Sequence, residues 1–187
     1  MNTYDFDKTI FYPDSSVTFI KHCFRKYPWI MLKNFPGAIP QAVAYAVKGG
    51  SDVKLKEKLF AFLKDIPDID GEVERFWAEH KDGIGEGYLR QKKDDDVIIS
   101  ASPEFLLEPV CREFGVNLIG TRMDKHSGKI DGENCHDKEK VRRFYERYPD
   151  GHSDEFYSDS MSDLPMAEIS DRAFMLKKHV ISPWPNK

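Results

Sequence analysis

Residues 3–10 read Thr3-Tyr4-Asp5-Phe6-Asp7-Lys8-Thr9-Ile10, a short extended run that ends in two carboxylates spaced two apart. Alternate positions of an extended chain share a face, which puts Asp5 and Asp7 together and turns Phe6 toward a core. A break follows at Tyr12-Pro13-Asp14-Ser15-Ser16. Asp14 or Ser15 is placed there to cap a helix carrying Val17, Phe19, Ile20, Cys23 and Phe24. Helical patterning recurs over 38–47, 54–64 and 71–80, so the chain from 14 to 92 reads as helical and strand-free. Phe60, Phe62, Phe76 and Trp77 read as the core of that block, and Gly83-Ile84-Gly85-Glu86-Gly87 as a flexible linker at its exit.

The character changes after Asp94-Asp95-Asp96. Val97-Ile98-Ile99 is a continuous apolar run, the pattern of a strand buried on both faces, and Ser100 follows it directly. A helix from 103 to 114, with Pro103 in its first turn, leads to a second strand at 116–119. A hairpin is expected around Lys125-His126-Ser127, then an amphipathic helix over 138–148 and strands at 155–158 and 173–176. Strands alternating with helices argue a parallel sheet with right-handed crossovers, and the strand at 3–6 belongs in that same sheet. The expected fold class is therefore α/β, a Rossmann-like parallel sheet with helices on both faces. Residues 1–13 and 93–187 form the expected core domain, with 14–92 inserted as an all-helical second domain.

The composition narrows the function. The chain has 187 residues, 40% of them apolar, enough for a real core. Its 28 basic and 32 acidic side chains give a net charge of −4, which argues against a nucleic-acid partner gripped through its phosphates. Three cysteines with no CxxC pair fit neither a disulfide framework nor a zinc ribbon. The apolar stretch 27–47 is interrupted by Lys33, Pro36 and Pro40, too often for a membrane span, so at most it would rest on an interface. A cytoplasmic protein without stable membrane insertion is expected.

In an open parallel sheet, ligands gather outside the carboxyl ends of the strands. Those ends carry Asp5, Asp7, Ser100, Asp159 and Asp163, with Lys138 and Lys140 opening the helix before the 155–158 strand. Carboxylates this close either rise in pKa or hold a cation among them. Oxygen donors without His or Cys select Mg²⁺. A carboxylate beside Mg²⁺ and an ammonium group can attack a phosphoryl centre and become an aspartyl-phosphate. A phosphoryl-accepting receiver module uses similar groups, but it has no reason for a long insertion after its first strand.

The segment Asp5-Phe6-Asp7-Lys8-Thr9 resembles the DxDx[TV] motif of the haloacid dehalogenase-like phosphohydrolases. Val97-Ile98-Ile99-Ser100 is similar to their second motif and Asp159-Ser160-Met161-Ser162-Asp163 to their acidic fourth. The segment 134–141 resembles the lysine-bearing third motif of the phosphoserine phosphatase-like branch. The resemblance implies that Asp5 is the nucleophile and a Mg²⁺ ligand, and that Asp7 is the general acid and base, its carbonyl on the metal. It implies that Ser100, with the N–H groups of Ala101 and Ser102, binds phosphoryl oxygens, that Asp159 completes the metal ligands, and that Asp163 stands behind them. The branch's lysine precedes the first apolar residue of its helix, here Val141, which favours Lys140 over Lys138. The 14–92 insertion resembles the branch's helical cap. Ala101-Ser102 stands where the branch usually has Gly-Gly, and where the branch grips substrate with a cap arginine this insertion holds only Arg25, Arg75 and Arg90, its 54–64 helix offering lysines instead, at 54, 56 and 58 among them. Those departures point to a small phosphorylated metabolite other than phosphoserine as partner. A phosphotransferase or mutase on the same scaffold is the alternative.

Overall fold

The computed structural model describes residues 1–40, 42, 52–177 and 180–185. Among them a six-stranded sheet runs in the order β3-β2-β1-β4-β5-β6. Its strands are β1 (Asn2–Tyr4), β2 (Val97–Pro103), β3 (Asn117–Thr121), β4 (Ser153–Ser158), β5 (Ser170–Lys177) and β6 (Val180–Pro183). The first five are parallel, with Tyr4 opposite both Ile98 and Tyr157. The chain leaves β1 toward β2 and β3 on one side and later returns to β4 on the other. That reversal of strand order opens a crevice at the carboxyl ends of β1 and β4. The edge strand β6 runs antiparallel to β5, which corrects the all-parallel expectation. Lys177 pairs with Val180, and so short a connection can close a hairpin but not a parallel crossover.

Side chains alternate across the sheet as a period of two requires. Ile98 and Tyr157 face the side that carries the helical insertion, whereas Val97, Ile99 and Phe156 face the other, with Phe144, Met166 and Trp184. The helices between β1 and β2 are α1 (Ser15–Lys26), α2 (Pro28–Asn34), α3 (Asp52–Leu59), α4 (Ile69–His80) and α5 (Glu86–Gln91). Asp14 caps α1, accepting from Val17 N at 2.9 Å. The helix expected at 38–47 falls mostly outside the described residues; Phe35–Ala38 within reach of it is 3₁₀.

The aromatic cluster is buried as expected, but it is shared with the sheet. Phe6 and Phe11 pack edge-on against Trp77, and Trp77 Nε1 donates to the Leu106 carbonyl at 2.6 Å. Leu106 lies on α6 (Glu104–Phe114). The glycines at 83–87 do not form a free linker, which is a second correction. Tyr12 N donates to Gly83 O and Gly85 N to Ile10 O, both at 2.8 Å, and Phe11 pairs with Ile84. A Cβ on Gly83 would come within 2.5 Å of Phe11 and of the Tyr12 carbonyl, so this glycine serves close packing. The expected hairpin reduces to one bridge, Met123 to Ile130. Two further helices, α7 (Lys138–Arg147) and α8 (Leu164–Ile169), cover the opposite face.

Candidate active site

The chain continues past β1 with Asp5 N donating to Tyr157 O at 2.8 Å, so Asp5 sits at the crevice between β1 and β4. Lys140, in the first turn of α7, is almost wholly buried and reaches it. Its Nζ donates to Asp5 Oδ1 at 2.7 Å and to Asp163 Oδ2 at 2.8 Å. Ser158 Oγ also donates to Asp163 Oδ2, at 2.6 Å. Lys138 is exposed. A helix turns about 100° per residue, so only one of the two lysines can face the strand ends.

Burial governs the electrostatics here. It pushes Asp5 up to about 7, against the pull of Lys140, with the neighbouring Asp163 charge adding to the rise. Burial alone would lower Lys140, but the Asp5 and Asp163 carboxylates outweigh it and hold the ammonium above its ordinary range. The lysine is thus a fixed positive charge between two carboxylates.

Asp7 is held on the other side of Asp5, toward the insertion. Its Oδ1 accepts from Ser15 N at 2.6 Å, at the start of α1, and its Oδ2 accepts from Ser102 Oγ at 2.5 Å. The Ser102 hydroxyl also meets Ser15 Oγ at 3.0 Å and Ser16 Oγ at 2.9 Å. Burial raises the Asp7 pKa, and the charge of Asp14 raises it further. A raised pKa suits a carboxyl that must carry a proton into a reaction. Lys8, beside it, adopts a left-handed backbone at φ 59°, a conformation that side-chain-bearing residues reach only under local constraint.

Ser100 is buried, with Oγ accepting from Ser102 N at 3.1 Å. The Ala101 carbonyl accepts from Thr121 Oγ1 at 2.6 Å and from Lys56 Nζ. Lys56 comes from α3 and also donates to Asn134 Oδ1 at 3.0 Å. Asn134 in turn receives Thr121 Oγ1 and donates to Asp52 at the start of α3, both at 2.8 Å. Of the lysines at 54, 56 and 58, the middle one reaches Ala101 and Asn134, and the other two are exposed. Burial lowers Lys56 to about 8, although Asp7, Asp14 and Asp52 all oppose the fall.

Asp159 stands half-buried just past β4, and burial raises its pKa while Lys8 pulls it down. Among the described residues, no three of Asp5, Asp7, Asp159 and Asp163 bring ligand atoms within 4.8 Å of one another. Lys140 occupies the space between two of them, and Asp7 is turned toward α1. The donor set nevertheless fits Mg²⁺. It is all oxygen, and Asp163 Oδ1 is buried with no hydrogen-bond partner among the described residues. The motif resemblance assigns the ion to Asp5, Asp159 and the Asp7 carbonyl, with Asp163 behind them. A cavity of about 480 Å³ lined by Tyr4, Tyr12, Tyr88, Arg90 and Tyr157 contains none of the four carboxylates.

Sequence reading missed Ser102 Oγ, Thr121 and Asn134. Their partners lie across the fold, so no local spacing announces them; a polar run Ser100-Ala101-Ser102 directly after a buried strand was the available signal.

Comparison with known proteins bears on the chain as a whole. It is 38% identical over 89 residues to protein CicA of Caulobacter vibrioides, a match covering 44% of this chain and 40% of that protein. It is 30% identical over 89 residues to a histidinol-phosphatase of Neisseria meningitidis serogroup C, covering 41% of this chain and 40% of that one. These matches span about two fifths of the length of the curated relatives. A protein of unknown function from Bordetella pertussis Tohama I shares the fold, with a TM-score of 0.73 at 20% identity over 92% of this chain and 87% of that one. A substrate-bound phosphoserine phosphatase does so with a TM-score of 0.52 at 14% identity, over 91% and 82%. No helix among the described residues is long and apolar enough to cross a membrane. The model of the haloacid dehalogenase-like hydrolases matches residues 3–168, and the chain belongs to that family.

Proposed function

We propose that this chain is a Mg²⁺-dependent phosphatase that hydrolyses a small phosphomonoester through an aspartyl-phosphate on Asp5. The observation that carries the reading is the buried Lys140 ammonium between Asp5 and Asp163, at the switch point of the sheet. A carboxylate oxygen aimed out of the strand ends and backed by a fixed cation is placed to attack a phosphoryl group, whose three oxygens Lys140 then helps to neutralise. Bound Mg²⁺ would add further charge neutralisation and orient the phosphoryl group. Asp7, one turn of chain beyond, donates a proton to the leaving oxygen. In the next step it takes one from the water that releases phosphate. Its present bond to Ser102 is exchanged for the substrate's bridging oxygen. Ser100 and the Ala101 and Ser102 N–H groups supply hydrogen bonds to the phosphoryl oxygens.

We read residues 14–92 as a cap over this centre, with Lys56 on the leaving group or its phosphate. The helical cover leaves room for a metabolite rather than a folded phosphoprotein. The name of the Neisseria relative, a histidinol-phosphatase, agrees with a small alcohol as leaving group. The test is a panel of small phosphomonoesters assayed for phosphate release with Mg²⁺, after chelation and after its return. Activity should vanish with chelator and come back with the ion. An acid-stable search for phosphoenzyme should find label on the wild type and none on Asp5→Asn. Label retained in Asp5→Asn would place the nucleophile elsewhere.

A further inference from the structure

Where α1 meets α4 in the helical insertion, three side chains of metal-binding type come together. His22 of α1 and Glu79 and His80 of α4 bring one ligand atom each to within 4.8 Å of one another. We propose that these three residues form a zinc site that ties α1 to α4, and that it is separate from the phosphoryl-transfer centre.

Tautomer logic fixes the free nitrogen of each ring. His22 Nε2 lies 2.6 Å from Oε1 of the fully buried Glu72. Glu72 also accepts from Tyr27 Oη, Arg75 Nη2 and Lys26 Nζ, each at 2.8 Å. A carboxylate ringed by a hydroxyl, a guanidinium and an ammonium accepts, so Nε2 is the donor. Nδ1 is then the nitrogen that faces Glu79. His80 Nδ1 lies 2.8 Å from the Phe76 carbonyl, which can only accept, so its lone pair is on Nε2. Both rings are therefore held through one nitrogen by an acceptor, the arrangement that orients histidine toward a metal. Phe76 packs on both rings, at 5.7 Å and 4.7 Å between centroids, and limits their rotation.

The spacing suits the ion. His22 Nδ1 and Glu79 Oε2 are 3.3 Å apart. Zinc bonds of about 2.0–2.2 Å at a tetrahedral angle put neighbouring ligands roughly 3.4 Å apart. A neutral imidazole nitrogen and a carboxylate oxygen at that distance repel unless a cation or proton lies between them. Two imidazoles and one carboxylate select zinc over magnesium, which prefers oxygen alone. His80 and Glu79 lie nearer solvent than His22, so the fourth position falls to water.

The test titrates the full chain with Zn²⁺, and with Co²⁺ as a spectroscopic probe, in saturating Mg²⁺ so that the carboxylate centre does not compete. A single equivalent should bind, give the intense visible bands of tetrahedral Co²⁺ and raise the unfolding temperature by several degrees. His80→Ala and Glu79→Gln, which leave the His22–Glu72 contact in place, should weaken binding at least tenfold without changing activity measured in Mg²⁺. Nitrogen-15 spectra should show His22 Nδ1 unprotonated before the addition and shifted after it. The proposal is overturned if wild type takes up no Zn²⁺, if His80→Ala binds it as well as wild type, or if His22 is an imidazolium bridging Glu72 and Glu79.

Discussion

Two helices of the same insertion meet the rest of the molecule in opposite ways. Helix α4 buries Ile69, Val73, Phe76 and Trp77, and its seam with the sheet is aromatic: Trp77 lies edge-on to both Phe6 and Phe11. Helix α3 buries none of its residues fully. It is tied across by polar contacts, Lys56 to Ala101 and Asn134, Asp52 to Asn134, and Glu57 to Lys129 and the Ile130 N–H. Apolar seams are strong because dispersion and burial have no competitor in water, whereas each polar bond of α3 is exchanged for a bond to solvent at little net cost. The insertion is therefore fused to the core along one helix and detachable along another, and the detachable one carries the lysine that reaches the site.

The largest expected effect is on the fused seam. Trp77→Ala removes a nearly fully buried ring and leaves the Leu106 carbonyl without its donor, and substitutions of this kind cost roughly 3–5 kcal/mol. Denaturant unfolding should remain a single transition, because Phe6, between Asp5 and Asp7, and Phe76 within the insertion share one cluster. Two separated transitions would mean that the insertion is a domain of its own, and the contrast between the two seams would lose its meaning.

Next comes the lysine pair that opens α7. Lys140→Met strands two buried carboxylates, and breaking a buried ion pair from one side costs roughly 3 kcal/mol or more. Turnover should fall at least 10²-fold with it, as for loss of a preorganised charge partner. Lys138→Ala, on the exposed face, should leave both within error. Because the stability loss depends on unpaired carboxylates, it should shrink as pH is lowered. Asp5 is raised to about 7, so it protonates on the way down and no longer needs the cation.

Much of this was legible from residues and their spacing. Asp5 at a strand end, Phe6 turned to the core, a helix start at Asp14 or Ser15 (the cap is Asp14) and Val97-Ile98-Ile99 buried on both faces are local statements, and local patterning carries them. What escaped was whatever depends on a distant partner. Ser102 and Ser15 are 87 positions apart, and nothing in either neighbourhood announces that their hydroxyls meet over Asp7. The glycines at 83–87 carry the composition of a linker, yet they are pinned to 10–12 by backbone bonds that composition does not encode. Strand β6 was missed for another reason. Four exposed residues at a sheet edge, ending in proline, have no buried face to impose an alternation.

The smallest effect, and the sharpest test of the polar seam, is a pair of opposite pH dependences at Lys56. Burial lowers this ammonium to about 8, so it is charged in the folded protein below that pH and neutral above it. In the unfolded chain a lysine stays charged to about 10.4. Between the two values the unfolded state binds more protons, so this group makes stability rise with pH across the window. Carrying the charge below pH 8 works against folding. Activity should go the other way if the ammonium binds substrate: kcat/KM should fall along an alkaline limb near 8, where the charge is lost. Lys56→Met should remove the limb, lower kcat/KM by roughly 10–10²-fold, the worth of one charged hydrogen bond, and leave stability unchanged or slightly improved. Lys56→Arg, which stays charged, should move the limb to higher pH. A purely structural lysine gives a different pattern. Its replacement would lower stability at all pH values and leave the kcat/KM profile with the same limb, and that result would return α3 to the same class as α4.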